Sequence, residues 1–411
     1  MKDHLRMRNT SMWELKFFYN TVFPIHFTRL HSLCSLKMVH ITSLISFLAS
    51  TALVSAAPGS APADLDRRAG CTFSTAATAI ASKTTCSTII LDSVVVPAGT
   101  TLDLTGLKTG TKVIFQGTAT FGYSEWEGPL ISISGQDIVV TGASGNKIDG
   151  GGARWWDGLG SNVSPGKGKV KPKFFSAHKL TGSSSITGLN FLNAPVQCIS
   201  IGQSVGLSLI NINIDNSAGD AGNLGHNTDA FDINLSQNIF ISGAIVKNQD
   251  DCVAVNSGTN ITFTGGNCSG GHGLSIGSVG GRSGTGANDV KDVRFLSSTV
   301  QKSTNGVRVK TVSDTKGSVT GVTFQDITLI GITGVGIDVQ QDYQNGSPTG
   351  TPTNGVPITG LTMNNVHGNV IGGQNTYILC ANCSGWTWNK VAVTGGTVKK
   401  ACAGVPTGAS C

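Results

Sequence analysis

Short stretches in which apolar and polar residues alternate recur along the chain from about residue 186. One family lies at 238–248, 260–270, 292–302 and 321–331, for example NIFISGAIVKN and GVTFQDITLIG. A second, shorter family lies at 230–234 (AFDIN), 252–256 (CVAVN), 273–277 (GLSIG), 306–310 (GVRVK) and 336–340 (GIDVQ). Alternation with a period of two predicts β-strands, and no amphipathic segment of helix length lies between these stretches.

The second family aligns into two apolar columns. These are Phe231, Val253, Leu274, Val307 and Ile337, and then Ile233, Val255, Ile276, Val309 and Val339. The steps between successive members are 22, 21, 33 and 30 residues, a spacing typical of a solenoid of stacked coils. A β-sandwich is the alternative, but hairpin turn signals do not separate these strands. The pattern therefore predicts an all-β, single-domain parallel β-helix.

Residues between the apolar columns are predicted to face outward on coils about 4.8 Å apart. The outward columns are Asp232, Ala254, Ser275, Arg308, Asp338 and Asn234, Asn256, Gly277, Lys310, Gln340. Just before the strands come Asp229, the pair Asp250 and Asp251, and then His272. Strict alternation would turn Asp229 and Asp251 inward, so we expect the chain to bend before each strand.

This predicted face carries the residue types that glycoside hydrolysis needs. Of three clustered carboxylates at least one should have a raised pKa, so that an acid can stand beside an ionised base. Arg308 and Lys310 suit an anionic sugar, and His272 is placed to tune a carboxylate or touch a ligand. The alternatives are turn-forming aspartates, a calcium pair without the usual DxDxDG loop, and a solvated Arg-x-Lys. For His226 we expect only a structural role.

Composition supports a turn-rich β protein and argues against a nucleic-acid partner. Only 13% of the 411 residues are charged, while 55 are Gly and 12 are Pro. The formal net charge is +6 for the whole chain. It falls to +2 when residues 1–69 are left out, because the remaining residues include 21 basic and 19 acidic ones. Attraction to an acidic substrate must therefore be local.

The N-terminus has the features of targeting sequence. Residues 1–37 are interpreted as an upstream extension or a mis-assigned start, and 38–57 as a secretory signal ending in small residues. A membrane anchor is the alternative, but the apolar run is short and interrupted. Residues 58–68 are predicted to be a pro-peptide ending at the dibasic pair Arg67–Arg68. A secreted catalytic domain, 69–411, with no membrane attachment in its mature form would follow.

The cysteines favour an oxidising compartment. The chain has ten, of which Cys34 lies in the leader, and four pairs close in sequence are predicted: Cys71–Cys86, Cys252–Cys268, Cys380–Cys383 and Cys402–Cys411. Cys198 is left as a buried free thiol. Zinc at Cys380-x-x-Cys383 is the rival interpretation, without a second ligand pair. Glycosylation sequons stand at Asn162, Asn234, Asn260, Asn267 and Asn382, the last two of them poorer acceptors beside bridged cysteines.

Four segments in order resemble the motifs of the family 28 glycoside hydrolases, the polygalacturonases. They are NTDAFDI (227–233), QDDCVAVNSG (249–258), GGHGLSIGSVGG (270–281) and GVRVKT (306–311), the last with Val where Ile is frequent. The resemblance extends over 71–411 and is strongest to the secreted fungal endo-acting enzymes. It implies a right-handed parallel β-helix, here of about ten coils, and inverting hydrolysis of α-1,4 links in polygalacturonate.

The resemblance also implies roles for individual residues. Asp250 would be the general acid, Asp229 and Asp251 would activate water, and His272 would hold the acid in its protonation state. Substrate contacts would come from Asn227, Asp232, Arg308, Lys310, Gln340 and Tyr343. Acids one coil apart are closer than is usual for inverting enzymes, so inversion rests on the resemblance alone. The other functions considered are an exo-acting or rhamnogalacturonan hydrolase, a lyase, and a non-catalytic polysaccharide-binding solenoid.

The partner implied is polygalacturonate, or pectin, of plant cell walls. No metal and no organic cofactor is expected for this chemistry. We expect a monomer, and an inhibitor protein of the host is a possible further partner.

Overall fold

The computed structural model describes residues 71–161, 166–344, 346 and 348–411. The predicted extension at 1–37, the signal at 38–57, the pro-peptide at 58–68 and the sequon at Asn162 lie outside the described residues. Within the part of the chain that is described, no helix is both long and apolar enough to span a membrane.

The described residues form 31 β-strands, one α-helix and two short 3₁₀ helices. The first strands are β1 (Thr72–Thr75), β2 (Thr88–Val96), β3 (Leu102–Leu107), β4 (Lys112–Gln116), β5 (Thr118–Phe121), β6 (Ile131–Gln136), β7 (Val139–Gly142), β8 (Lys147–Asp149), β9 (Phe175–Thr181), β10 (Ser185–Thr187), β11 (Asn190–Leu192), β12 (Ile199–Gly202), β13 (Ser208–Ile210) and β14 (Asn213–Asp215). The middle strands are β15 (Phe231–Asn234), β16 (Ser236–Ser242), β17 (Ile245–Lys247), β18 (Val253–Val255), β19 (Gly258–Thr264), β20 (Asn267–Ser269), β21 (Leu274–Val279), β22 (Asp289–Gln301), β23 (Asn305–Val312) and β24 (Ser318–Ile332). The last are β25 (Val335–Tyr343), β26 (Ile358–Thr359), β27 (Thr362–Val370), β28 (Gln374–Leu379), β29 (Cys383–Ser384), β30 (Thr387–Asn389) and β31 (Ala392–Thr394). The helix α1 is Ala76–Ser82, and the 3₁₀ helices are Gly152–Arg154 and Ser217–Asn223.

Ten parallel strands form one continuous sheet, with one strand contributed by each coil. Their order is β28, β25, β23, β21, β18, β15, β12, β9, β6, β3. The register runs from Phe231 to Val253, Leu274, Val307 and Ile337, the apolar column that alternation predicted. The ten strands agree with the predicted number of coils.

The remaining 21 strands close the coils around the apolar interior. One column of pairings includes β16 with β19 and the next includes β17 with β20, and the long strands β22 and β24 belong to both columns. Every pairing between named strands is parallel, as the predicted parallel β-helix requires. Burial of large side chains on each coil provides the driving force for stacking.

A row of phenylalanines shows how the coils stack inside. The rings of Phe231, Phe263, Phe295 and Phe324 follow one another with centroids 6.3, 6.4 and 4.8 Å apart, and all four are buried. Each such side chain contributes about 1.5–3 kcal/mol relative to an exposed one. The stack therefore stabilises the same coils that carry the candidate site.

Helix α1 covers the N-terminal end of the interior. Its Ala76 and Ala79 are buried, and the helix packs against β1, β2 and β3. Such a cover shields a solenoid's terminal coil from water and from pairing with other chains.

All four predicted disulfides are formed in the described chain. They join Cys71 to Cys86, Cys252 to Cys268, Cys380 to Cys383 and Cys402 to Cys411. Cys198 is buried and free, as predicted. Since Cys380 and Cys383 bond each other, they are not a zinc site.

Candidate active site

The three acids sit where the chain enters the ten-stranded sheet. Asp229 precedes β15, and Asp250 and Asp251 precede β18, outside any strand. The amide of Ala230 donates to the carbonyl of Asp251 at 2.9 Å, so Asp229 and Asp251 are stacked equivalents. The expected bend therefore occurs, and both acids line the outer groove although their side chains are largely buried.

An open groove of about 530 Å³ crosses the outward face of this sheet. It brings together nine of the ten predicted catalytic and substrate-binding residues: Asn227, Asp229, Asp232, Asp250, Asp251, His272, Arg308, Lys310 and Tyr343. The tenth, Gln340, pairs in register with Lys310 but is buried outside the groove lining. Sequence spacing put Gln340 on the correct column but could not report its depth.

Asp250 is surrounded by nitrogen donors. Its Oδ1 lies 2.9 Å from His272 Nδ1 and accepts the backbone N–H of Asp251 at 2.8 Å. Its Oδ2 accepts the side-chain amide of Asn227 at 2.9 Å. Burial raises the pKa of Asp250, but the His272 hydrogen bond and charge, followed by Lys310, lower the pKa to about 2. Without substrate, Asp250 is therefore a carboxylate.

His272 holds the proton that its partner lacks. Burial lowers the imidazole pKa, and the hydrogen bond and charge of Asp250 more than offset this, so the pKa of His272 is raised above 6.5. The backbone N–H of His272 also donates to the carbonyl of Asp250 at 2.9 Å. At acidic pH the two side chains form an imidazolium–carboxylate pair that carries one transferable proton.

Asp251 has two fixed hydrogen-bonding partners. Its Oδ2 lies 2.7 Å from Lys310 Nζ, and its Oδ1 accepts the hydroxyl of Ser275 at 2.6 Å. Both Asp251 and Lys310 are buried, with exposed fractions of 1% and 6%. Lys310 is thus committed to Asp251 before any substrate arrives. Burial lowers the pKa of Lys310, but Asp251 reverses this, and the ammonium pKa is raised.

The other two groove acids resist ionisation. Burial, followed by the charges of Asp250, Asp232 and Asp251, raises the pKa of Asp229 well above its ordinary value. The pKa of Asp232 is raised to about 7 by burial and then by Asp251 and Asp250. Among the described residues, Asp229 Oδ1 is a buried oxygen without a hydrogen-bond partner. Such an atom normally has a water or ligand donor.

Two cations and one aromatic ring lie together on the coils of β23 and β25. The guanidinium of Arg308 and the ammonium of Lys310 stand 5.7 and 5.5 Å from the ring centroid of Tyr343. Cations at this distance are attracted to an aromatic face. Because Lys310 already neutralises Asp251, Arg308 is the one of these two cations that remains available to an anionic ligand.

Other residues line the groove as well. Asn256 was predicted to face outward, whereas Gln197, Arg282 and Asn305 were not identified from the sequence. Arg282 donates to Asn256 Oδ1 at 3.0 Å and to the carbonyl of Ser278 at 2.6 Å. It follows the two glycines that end the segment GGHGLSIGSVGG, and a cation directly after that motif was an available signal. Its loop is irregular, so strand alternation could not have placed it.

One group of potential metal ligands occurs among the described residues. Ligand atoms of Asp250, Asp251 and His272 lie within 4.8 Å of one another. However, Asp250 Oδ1 and His272 Nδ1 bond each other, and the Lys310 ammonium is 2.7 Å from Asp251. This arrangement already balances the charge of the carboxylates, so it fits proton transfer better than cation binding.

Comparisons with known proteins give consistent matches to one enzyme family. The family model described as glycosyl hydrolases family 28 matches residues 86–411. An endo-polygalacturonase of Sclerotinia sclerotiorum is 60% identical over 390 residues, covering 91% of this chain and 100% of that protein. A polygalacturonase of Penicillium griseoroseum is 58% identical, covering 90% and 98%. The structure of endopolygalacturonase I from Stereum purpureum, complexed with two galacturonates, matches at 37% identity with a TM-score of 0.72. That match covers 79% of this chain and 95% of that one.

Proposed function

The chain belongs to the glycosyl hydrolases of family 28, and we propose that it is an endo-polygalacturonase that hydrolyses α-1,4 links in polygalacturonate. One observation carries the proposal: three carboxylates, His272 and the Arg308 guanidinium line one open groove. The relatives named above as endo-polygalacturonases are nearly full-length matches. An open groove suits cleavage within a long chain better than cleavage at its end.

Substrate recognition would begin with the carboxylate of one galacturonate unit. Arg308 offers a planar fork of N–H donors that matches a carboxylate. Tyr343 beside it provides an aromatic surface against which a sugar ring packs. Asn227 and Asp232, both on the coil of β15, add polar groups for sugar hydroxyls. Gln340 is paired with Lys310 on the neighbouring strand but does not line the groove, so it would not contact the substrate directly.

The Asp250–His272 pair would protonate the leaving oxygen. The pair holds one proton at acidic pH, and the 2.9 Å separation allows it to pass from Nδ1 to the carboxyl. A bound polyanion raises the pKa of Asp250 by charge repulsion and by excluding water. Asp250 would then donate as a neutral acid, with His272 supplying the proton. That proton stays on the product hydroxyl, the proton of the attacking water passes to Asp251, and solvent restores both groups afterwards.

Asp251 and Asp229 would activate water on the other side of the scissile bond. Asp251, paired with the Lys310 ammonium, would be the base, and Asp229 presents a buried oxygen that still needs a donor. Both oxygens of Asp251 are engaged by donors, which makes it a poor nucleophile toward carbon. Attack by water rather than by Asp251 would invert the anomeric centre.

We also propose that the protein is secreted. Four disulfides are formed in the described residues, which is typical of chains that mature in an oxidising compartment. The segments at 38–57 and 58–68 would act as signal and pro-peptide. Direct sequencing of the N-terminus of the secreted protein tests this, and a start at residue 69 is expected.

One assay separates the candidate activities. The mature protein is incubated with de-esterified polygalacturonate while viscosity, reducing ends and ultraviolet absorbance are followed together. A rapid fall in viscosity with few new ends and no absorbance is expected. A slow fall with many ends would indicate an exo-hydrolase, an absorbance gain a lyase, and no change a binding solenoid. Activity confined to rhamnogalacturonan would assign a different backbone.

A further inference from the structure

Asp338 is the register neighbour of Arg308 on the next coil. The two residues pair in register between β23 and β25, so their side chains share the outward face. Asp338 Oδ2 stands 3.3 Å from Arg308 Nε, and the same oxygen accepts the side-chain amide of Asn305 at 3.2 Å. Only 3% of Asp338 is exposed, and it does not line the groove. Its carboxylate therefore meets Arg308 but not the substrate.

The contact leaves the recognising end of Arg308 free. Asp338 approaches Nε, the inner edge of the guanidinium, as an ion pair without hydrogen-bond geometry, while the ring of Tyr343 lies beside its Cζ at 5.7 Å. Among the described residues, no hydrogen bond involves Nη1 or Nη2 of Arg308. Those two atoms form the fork that binds a carboxylate in a bidentate manner. The guanidinium is thus held from behind and from one side.

Fixing an arginine in advance improves binding because its side chain otherwise loses rotamer freedom when the ligand arrives. A buried carboxylate is costly unless it is paired, so Asp338 and Arg308 stabilise each other's position. We propose that Asp338 is a positioning residue that fixes the Arg308 guanidinium for the carboxylate of a bound galacturonate. This inference rests on the proposed function, in which Arg308 binds that carboxylate.

The positioning depends on the charge of Asp338. Burial raises its pKa to about 6, opposed by Arg308, Lys310 and Lys400 and assisted by Asp342. From the last coil, Tyr377 pairs in register with Asp338, and its own pKa is raised by burial and by Asp342 and Asp338. Below pH 6 Asp338 becomes neutral and its attraction for Arg308 weakens, whereas above pH 6 it is ionised and holds the guanidinium.

The test is a double-mutant cycle read by direct binding. Affinity for trigalacturonate is measured calorimetrically at pH 5 and pH 7 in a catalytically silent Asp250→Asn background. To this are added Asp338→Asn, Arg308→Ala and both together. At pH 7 we expect Arg308→Ala to weaken binding about tenfold and Asp338→Asn about three- to tenfold. The double variant should bind no more weakly than Arg308→Ala alone, because Asp338 acts only through Arg308.

The pH dependence gives a readout that a purely structural role would not move. Asp338→Asn should weaken binding less than about twofold at pH 5, where the native side chain is already largely neutral. Asp342→Asn is the matched control, since Asp342 is equally buried on the same strand but its Oδ2 accepts the amide of Gly350 instead. Asp342→Asn should leave the affinity at pH 7 unchanged, because Asp338 is ionised there with or without it. Asp338→Glu keeps the negative charge and should retain most of the native affinity at pH 7.

Several results would overturn the inference. These are unchanged or tighter binding by Asp338→Asn at pH 7, or additive losses in the double variant. If Asp338→Asn does not fold, Arg308→Ala alone decides: the inference requires that the ratio of affinity at pH 7 to affinity at pH 5 be lower in Arg308→Ala than in the Asp250→Asn parent. An Arg308→Ala variant of normal affinity would refute the proposed role of Arg308 itself, and the inference with it. If Arg308→Ala weakens binding as expected but Asp338→Asn does not change affinity at pH 7, only the inference about Asp338 is refuted and the proposed function stands.

Discussion

His272 Nδ1 lies 2.9 Å from Asp250 Oδ1, and the backbone N–H of His272 bonds the carbonyl of Asp250 at the same distance. Two residues one coil apart are thereby joined at both main chain and side chain. The contact lowers the pKa of the carboxyl and raises that of the imidazole. In the proposed mechanism the pair, rather than Asp250 alone, would store the catalytic proton in the free protein.

Removing the histidine should therefore move the pH profile. His272 is protonated below its raised pKa, so the native alkaline limb of kcat/KM should lie above pH 6.5. In His272→Ala, Asp250 must keep its proton unaided, and the limb should shift acidic with about a 10–100-fold loss at pH 6. His226→Ala, outside the groove lining, is the control and should keep the native profile. If the alkaline limb of kcat/KM stays in place in His272→Ala, the transferred proton does not come from the Asp250–His272 pair.

The two cations of the GVRVK strand should have separable kinetic effects. Arg308→Ala is expected to raise KM about tenfold with little change in kcat, because it removes ligand binding. Lys310→Ala leaves Asp251 buried without its counter-charge, so kcat should fall at least about a hundredfold and thermal stability should drop. Steady-state kinetics and thermal unfolding check both variants. Equal kcat losses in the two would contradict the distinct roles.

Arg282 offers a prediction that did not come from any motif residue. Its guanidinium lines the groove and is held by Asn256 and Ser278, with other donors left for an anionic sugar. Arg282→Ala should raise KM on polygalacturonate about three- to tenfold with kcat nearly unchanged. Arg294→Ala is the matched control, because Arg294 bonds Asn260 on the other sheet. A normal KM for Arg282→Ala would make its groove position incidental.

Much of this site follows from strand periodicity. The columns headed by Phe231 and Ile233 have the observed register because alternation with a buried face leaves only one in-phase alignment of short strands. The earlier coils were less visible, since a long excursion separates β6 from β9. Their strands were therefore not recognised as repeats.

The sequence could not predict how deeply each side chain is buried or which side chains form ion pairs. The column position of Lys310 was predicted, but its commitment to Asp251 depends on a side chain that crosses to another coil. Gln340 occupies the same column and is hidden, while Arg282 enters the groove from an irregular loop. Alternation specifies a face, whereas the reach of long side chains and the course of loops are set by tertiary packing.

The stereochemistry of the first product is a further prediction. Both oxygens of Asp251 are engaged, by Ser275 and by Lys310, so water rather than Asp251 should attack the sugar. Proton NMR during the first minutes of oligogalacturonide cleavage should show the β-anomer of the new reducing end, before mutarotation. Initial accumulation of the α-anomer would mean retention through a covalent intermediate.

The identity of the proton donor is the central claim, and the raised pKa of Asp229 makes that acid the rival. The most direct measurement compares Asp250→Asn and Asp229→Asn on polygalacturonate and on an oligogalacturonide with a nitrophenol leaving group. On polygalacturonate both variants should lose at least about a thousandfold in kcat. Nitrophenol departs without protonation, so Asp250→Asn should recover most of its activity on that substrate while Asp229→Asn should not. Recovery by Asp229→Asn instead, or more than about a tenth of native turnover in Asp250→Asn on polygalacturonate, would contradict the account.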